Sequence, residues 1–241
     1  ADLGLLVDGK FYPLRSVQSI VRFVEKTPLV DGSGLKNTLE NRAVQVVEAK
    51  AKDAIKNKRA LIALGADRWG LSTSFVEAGY DCVFGDLMFG LGIPIAFEEL
   101  FWGDAGIPIA IHSINTVRRL APIMVPVAGL LPFDWVYPTG EKQEKRQPKW
   151  HKYYEWADVI VGDMHYIRRH IPDNLPGKVI VTNTTTPTDV ELLKKIGIKY
   201  LVTTTPSLEG RSFGTNMMEA ALIAASGKGR VLTHPELNQL I

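Results

Sequence analysis

Short apolar runs alternate with amphipathic segments along most of the chain. The runs "LGLLVD" (3–8), "TPLVDG" (27–32), "RALIALG" (59–65) and "YDCVFGD" (80–86) read as strands. So do "DVIVGD" (158–163), "KVIVTN" (178–183) and "KYLVTTT" (199–205). Each is nearly continuous in apolar residues, the pattern of parallel strands covered on both faces. The segments between them have helical spacing. "SVQSIVRFVEK" (16–26) places Val17, Ile20, Val21 and Val24 on one stripe. Residues 37–58 put Leu39, Val46, Val47 and Ile55 near one face, with charges elsewhere. "SFVEAGY" (74–80) predicts a short helix. "PTDVELLKKIG" (187–197) carries Pro and Asp in its first turn and Gly197 just beyond its end. "TNMMEAALIAASGKG" (215–229) is apolar and closes with glycines.

Strand alternating with helix predicts an α/β fold, Rossmann-like, with a mainly parallel sheet and helices on both faces. Residues 1–241 form one such region. Residues 87–150 break the rhythm, being rich in Pro, Gly and aromatics, and read as an insert or lid. The charged run "TGEKQEKRQPKWHK" (139–152) reads as solvated loop. "DCVFGDLMFGLGIPI" (81–95) echoes "DVIVGDMHYIRRHIP" (158–172), each with Gly-Asp after a Val-containing strand. The echo is either chance or a duplication.

Composition narrows the partners. The chain is 46% hydrophobic and 22% charged, enough apolar residues for a sizeable core. A net charge of +2 points away from nucleic acid or an anionic membrane as main partner. The stretch "LAPIMVPVAGLLP" (120–132) is too short to span a bilayer and is interrupted by prolines. The one cysteine, Cys82, sits in an apolar run and fits a reducing cytoplasm. The first residue is Ala1, not Met, which fits a segment having preceded it. The histidines are scattered without metal-ligand spacing, so no metal is expected. Neither a P-loop nor a nucleophile-elbow motif occurs.

Four stretches carry candidate chemistry. In "LGADRWG" (64–70), Gly65 and Gly70 hold the outer positions of a dinucleotide fingerprint, and Asp86 ends the next strand where a ribose-binding acid belongs. Asp67 stands at the middle glycine position and would repel a pyrophosphate, a charge that Arg68 could offset. The alternative is a plain strand-to-helix turn. In "LVTTTPSLEGRSFGTN" (201–216), Thr204, Thr205 and Pro206 end a strand. Arg211 and Ser212 lie in a loose loop, and Thr215 and Asn216 can cap a helix. In "VDGSGLKNTLENR" (30–42), Ser33, Lys36 and Asn37 stand at a helix entrance that could grip a carboxylate or phosphate. In "GDMHYIRRHIP" (162–172) and "TNTTTPTD" (182–189), Asp163 and His165 are candidates for acid–base work. Asn183 and Thr185 follow the next strand.

Beyond these motifs, the chain resembles a group of bacterial quinate or shikimate 5-dehydrogenases. The stretches "LGADRWGLSTSFVEAGYDCVFGDLMFGLGIPI", "YPTGEKQ", "VIVGDMHYIRRHIPDNLPGKVIVTNTTT" and "LVTTTPSLEGRSFGTNMMEA" carry the likeness. The resemblance implies a Rossmann-type domain binding NAD or NADP, and oxidation of a ring hydroxyl to a ketone. "TTTPSLEG" (203–210) is similar to the strand end that lies near the nicotinamide in shikimate dehydrogenases. "NTTTPTD" (183–189) resembles their Asn-Val-Thr-x-Pro-x-Lys motif, but Asp189 stands at the catalytic lysine's place.

The expected function is therefore an NAD(P)-dependent oxidoreductase acting on a small hydroxylated, anionic substrate. Asp163 and His165 would handle the proton. Gly65, Asp67, Arg68, Gly70, Asp86, Thr204, Thr205 and Pro206 would hold the cofactor. Ser33, Lys36, Asn37, Asn183, Thr185, Arg211, Ser212, Thr215 and Asn216 would hold the substrate. A cytoplasmic protein is expected, with no membrane or nucleic-acid partner; a homo-oligomer through the 87–150 insert stays open. The alternative is a nucleotide- or small-molecule-sensing protein that keeps the Rossmann-like shape without the chemistry.

Overall fold

Five apolar runs pair side by side and in parallel. In the computed structural model, which describes residues 3–13, 15–89, 109–128 and 146–241, they form one sheet. The strands are β3 (Arg59–Ile62), β4 (Asp81–Phe84), β5 (Val159–Val161), β6 (Val179–Thr182) and β7 (Tyr200–Thr203). Their order across the sheet is β4-β3-β5-β6-β7. The chain steps from β3 outward to β4, then crosses back to the far side of β3 and continues in one direction. The carboxyl ends of β3 and β5 therefore lie at the point where the order reverses, the place where sheets of this kind open a crevice.

The pleat sorts the side chains between two cores. Ala60, Ile62, Cys82, Phe84, Val159, Val161, Val179 and Val181 face one side. Leu61, Ala63, Val83, Ile160 and Ile180 face the other. Because both sides are covered, the inner strand positions are apolar, and polar residues such as Arg59, Asp81, Thr182 and Thr203 fall at strand ends.

Helices α2 (Ser33–Lys50), α3 (Trp69–Glu77) and α5 (Ile114–Ala128) supply the first face with Ala43, Val44, Val47, Leu71, Phe75, Val117, Ala121 and Val125. The second is covered by α4 (Asp86–Phe89), α6 (His151–Trp156), α7 (Met164–His170) and α8 (Pro187–Ile196). After β7 come a small hairpin, β8 (Ser207–Leu208) with β9 (Arg211–Ser212), and the helices α9 (Thr215–Ser226) and α10 (His234–Asn238). Leu35 of α2 packs with Ile223, Leu232 and Leu237 in a separate cluster that fixes these last helices on α2.

Several expected elements take a different form. The run 3–8 is not part of the parallel sheet. Its strand β1 (Gly4–Val7) pairs antiparallel with β2 (Lys10–Pro13) in a separate hairpin. The turn is Asp8-Gly9, both at positive φ (51° and 76°), the twist that a two-residue hairpin requires. The run 27–32 is irregular instead of a strand. Asp31 accepts a hydrogen bond from the Ser33 amide, so helix α2 starts at Ser33 and not at 37. It also stops at Lys50, and a short 3-10 turn, Lys52–Ala54, replaces its expected end. The helix after β3 begins at Trp69, five residues ahead of the expected start at 74. The first helix, α1 (Arg15–Val21), is shorter than its pattern.

Within the expected insert, residues 90–108 and 129–145 lie outside the described residues. The described part is bound to the body of the fold. Val117, Ala121 and Val125 of α5 lie one turn apart and enter the first core, although Pro122 and Pro126 sit inside that helix. Ile111 makes an isolated antiparallel bridge to Phe84 beside β4. Among the described residues no helix is long and apolar enough to cross a membrane.

Candidate functional site

The β3–α3 turn, residues 63–68, is held from both sides by aspartates at matching places on the neighbouring strands. On the β4 side, Asp86 accepts hydrogen bonds from the Gly65 amide (3.0 Å) and the Ala66 amide (2.8 Å). On the β5 side, Asp163 accepts from Arg68 Nη2 at 3.0 Å. The sequence echo of Gly85-Asp86 and Gly162-Asp163 thus corresponds to equivalent positions flanking β3. Gly65 has no room for a side chain. A Cβ there would lie 2.7 Å from the Phe84 ring and 3.1 Å from Asp86 Oδ2.

Arg68 is the centre of the charge arrangement, with 4% of its surface exposed. Besides Asp163 it meets Glu40 Oε1 (3.4 Å) and Asp67 Oδ2 (3.3 Å). Lys36 Nζ reaches Asp67 Oδ1 at 3.0 Å. Burial works against ionisation of Asp67, but Arg68 and Lys36 outweigh it and hold the carboxyl at about 2. The charge expected to repel a pyrophosphate is thereby compensated. Burial pushes Asp86 up to about 6, partly offset by the Ala66 and Gly65 amides. Burial also pushes Glu40 above the ordinary carboxylate range, against the pull of Lys36 and Arg68.

Asp163 has three donors. Its Oδ1 accepts the His165 amide at 2.9 Å and so caps α7. Its Oδ2 takes Arg68 and, at 3.4 Å, Asn183 Nδ2. A carboxylate so engaged is an anchor, and His165 beside it is partly exposed.

Asn183 continues the network towards the hairpin. Its carbonyl oxygen accepts from Ser212 Oγ (2.9 Å) and Thr205 Oγ1 (3.1 Å). Ser212 Oγ in turn accepts from the Thr185 amide at 2.8 Å and lies 2.9 Å from Thr185 Oγ1. Thr204 is buried, and its amide donates to Thr182; Pro206 and Arg211 are exposed. Gly32, the residue before Ser33, approaches Thr215 and Asn216 where α2 and α9 begin. A Cβ on Gly32 would lie 2.5 Å from the Asn216 nitrogen and 2.6 Å from Thr215 Oγ1. The cap expected from Thr215 or Asn216 falls instead on Gly214, with no side-chain cap bond. Asn37 lies beside Gly70, where a Cβ would come within 3.1 Å of its Oδ1.

Asp189, at the lysine's place in the resembled motif, serves the backbone. Thr186 and Asp189 form a reciprocal capping box on α8, and Asp189 Oδ1 also meets Arg168 Nη1 at 3.3 Å. Glu40 escapes the sequence reading, which puts the face of Leu39, Val46, Val47 and Ile55 in the core. The observed stripe is Leu35, Glu40, Ala43, Val44 and Val47. A glutamate on an apolar stripe is the signal that could have found it.

Among the described residues, no group of three or more His, Cys, Asp or Glu side chains is placed to hold a metal ion. No curated protein and no solved structure matches the chain. One family model does, over residues 34–241, a stretch that holds Lys36, Glu40, Arg68, Asp86, Asp163 and the β8–β9 hairpin. By that match the chain belongs to the family described as Domain of unknown function (DUF8754).

Proposed function

We propose that the chain is a Rossmann-like oxidoreductase that uses NAD or NADP to oxidise a small hydroxylated, anionic substrate, quinate- or shikimate-like by resemblance. One observation carries the reading. A continuous polar path, Arg68–Asp163–Asn183–Thr205 and Ser212, joins the turn after β3 to the hairpin after β7. Both turns therefore lie on the same carboxyl edge, where doubly wound sheets bind ligands.

The acceptor that follows β4 suits the ribose of a dinucleotide's adenosine half. Asp86 already accepts two N–H donors, and ribose hydroxyls are donors of the same kind. A carboxylate there favours NAD over NADP, whose 2′-phosphate it repels. The neutralised Asp67 supports the same placement. A bound nicotinamide supplies the hydride acceptor. Thr205 and Pro206 would flank it, Arg211 would draw the substrate's anionic group, and His165 would take the hydroxyl proton.

A second reading is a sensor that binds the nucleotide without turnover. It is favoured by Asp189, which caps α8 in place of a lysine, and by the engagement of Asp163 with three donors.

Thermal shift with NAD, NADH, NADP and NADPH separates these readings from no nucleotide function at all. Saturating NAD at about a hundred times its dissociation constant adds about 2.7 kcal/mol, a rise of roughly 5–10 °C. Reduction of NAD in the presence of quinate or shikimate supports the enzyme. A shift without turnover of any hydroxy acid supports the sensor. No shift with any of the four at about millimolar concentration contradicts both.

A further inference from the structure

We infer that Glu40 is a positioning residue: from α2 it fixes both the first turn of α3 and the Arg68 guanidinium, so that Arg68 is presented to Asp163 where strand order reverses between β3 and β5. The inference deepens the function proposed above and rests on it for its ligand readout only.

Glu40 is 1% exposed, and its two oxygens have different partners. Oε2 accepts the Leu71 amide at 3.2 Å, inside the first turn of α3. Oε1 meets Arg68 Nη1 at 3.4 Å. Gly70 makes this approach possible, since a Cβ on it would sit 2.8 Å from Glu40 Oε2 and 3.1 Å from its Cβ. The last glycine of the expected fingerprint thus admits a carboxylate of a neighbouring helix. Arg68 is held by Asp163 on one side and by Glu40 on the other, two elements far apart in sequence. With Asp67 beside its Nε as well, the guanidinium is gripped by three carboxylates and cannot rotate about its stem, so Nη2 stays directed at Asp163.

The two contacts can be separated. Glu40→Gln retains one carbonyl oxygen, which can accept from Leu71, but it turns an NH2 group towards Arg68 Nη1, donor against donor. Gly70→Ala pushes the Glu40 carboxylate aside without changing any charge.

The test compares wild type, Glu40→Gln and Gly70→Ala by three measurements: protection of the Leu71 amide, the guanidinium N–H signals of Arg68 and the dissociation constant for NAD. The Arg68 signals are assigned by their loss in Arg68→Lys. The expected result is that Glu40→Gln stays folded with its Leu71 amide protected, loses the resolved Arg68 Nη signals, and binds NAD about tenfold more weakly. Gly70→Ala loses the same signals. A purely structural role predicts unchanged Arg68 signals in folded Glu40→Gln, and that result overturns the inference. Should wild type bind no nucleotide, the proposed function falls, while the Arg68 signals still decide the role of Glu40.

Discussion

Arg68 Nη2 lies 3.0 Å from Asp163 Oδ2, and this ion pair ties the turn after β3 to the end of β5 across the point where strand order reverses. Both side chains are buried, at 4% and 7% exposure. Removing either partner leaves the other charge away from water. Arg68→Ala and Asp163→Ala should each cost about 3 kcal/mol or more, measured by urea unfolding. Losses under about 1 kcal/mol would show that the pair does not hold the turn.

Asp86 makes stability depend on pH in a stated direction. Burial raises its carboxyl from 3.8 to about 6. Between about pH 4 and pH 6 the folded chain keeps a proton that the unfolded chain has released. Stability therefore falls as pH rises through that window, by about 3 kcal/mol for a shift of this size. Raised Glu40 and Glu219 push the same way, while Asp67 acts in the opposite sense below that window. Unfolding midpoints across the window should decline with pH in wild type and flatten in Asp86→Asn. A slope unchanged by the substitution would remove Asp86 as its source.

Gly65→Ala tests the closeness of the turn to β4. The new methyl would lie 2.7 Å from the Phe84 ring and close to Asp86. Overpacking of this kind costs about 1–3 kcal/mol. A neutral result in thermal unfolding would mean that the turn stands farther from β4.

The α8 cap separates resemblance from mechanism. Thr186→Ala should cost about 1 kcal/mol through loss of the cap. Asp189→Lys, which restores the residue type of the resembled motif, should cost more. It removes the box and the Arg168 contact and places a cation at a positive helix end. An Asp189→Lys chain as stable as wild type in urea unfolding would contradict the capping role given to this position.

The parallel strands were legible because each is covered on both faces, so burial wrote continuous apolar runs such as "RALI" and "VIV" into the chain. The same rule misread "LGLLVD", because composition alone does not say which partner a strand finds; the Asp8-Gly9 turn does. "PLVDG" is apolar for another reason: Val30 packs against the cluster of α2, α9 and α10 without any strand. Gly65 and Asp86 could be located from spacing, and they do meet. That Asp86 turns inward to backbone amides depends on a register between β3 and β4 that no local pattern records. Glu40 was hidden for a similar reason, since its partners, Arg68 and Leu71, come from another helix unit.

Amide hydrogen exchange with and without NAD tests the shared crevice most directly. Saturating cofactor should protect residues 64–71 and 204–216 together while leaving the β1–β2 hairpin unchanged. Protection of neither turn, or of only one of them, would contradict a common nucleotide site at the carboxyl ends of β3, β5, β6 and β7.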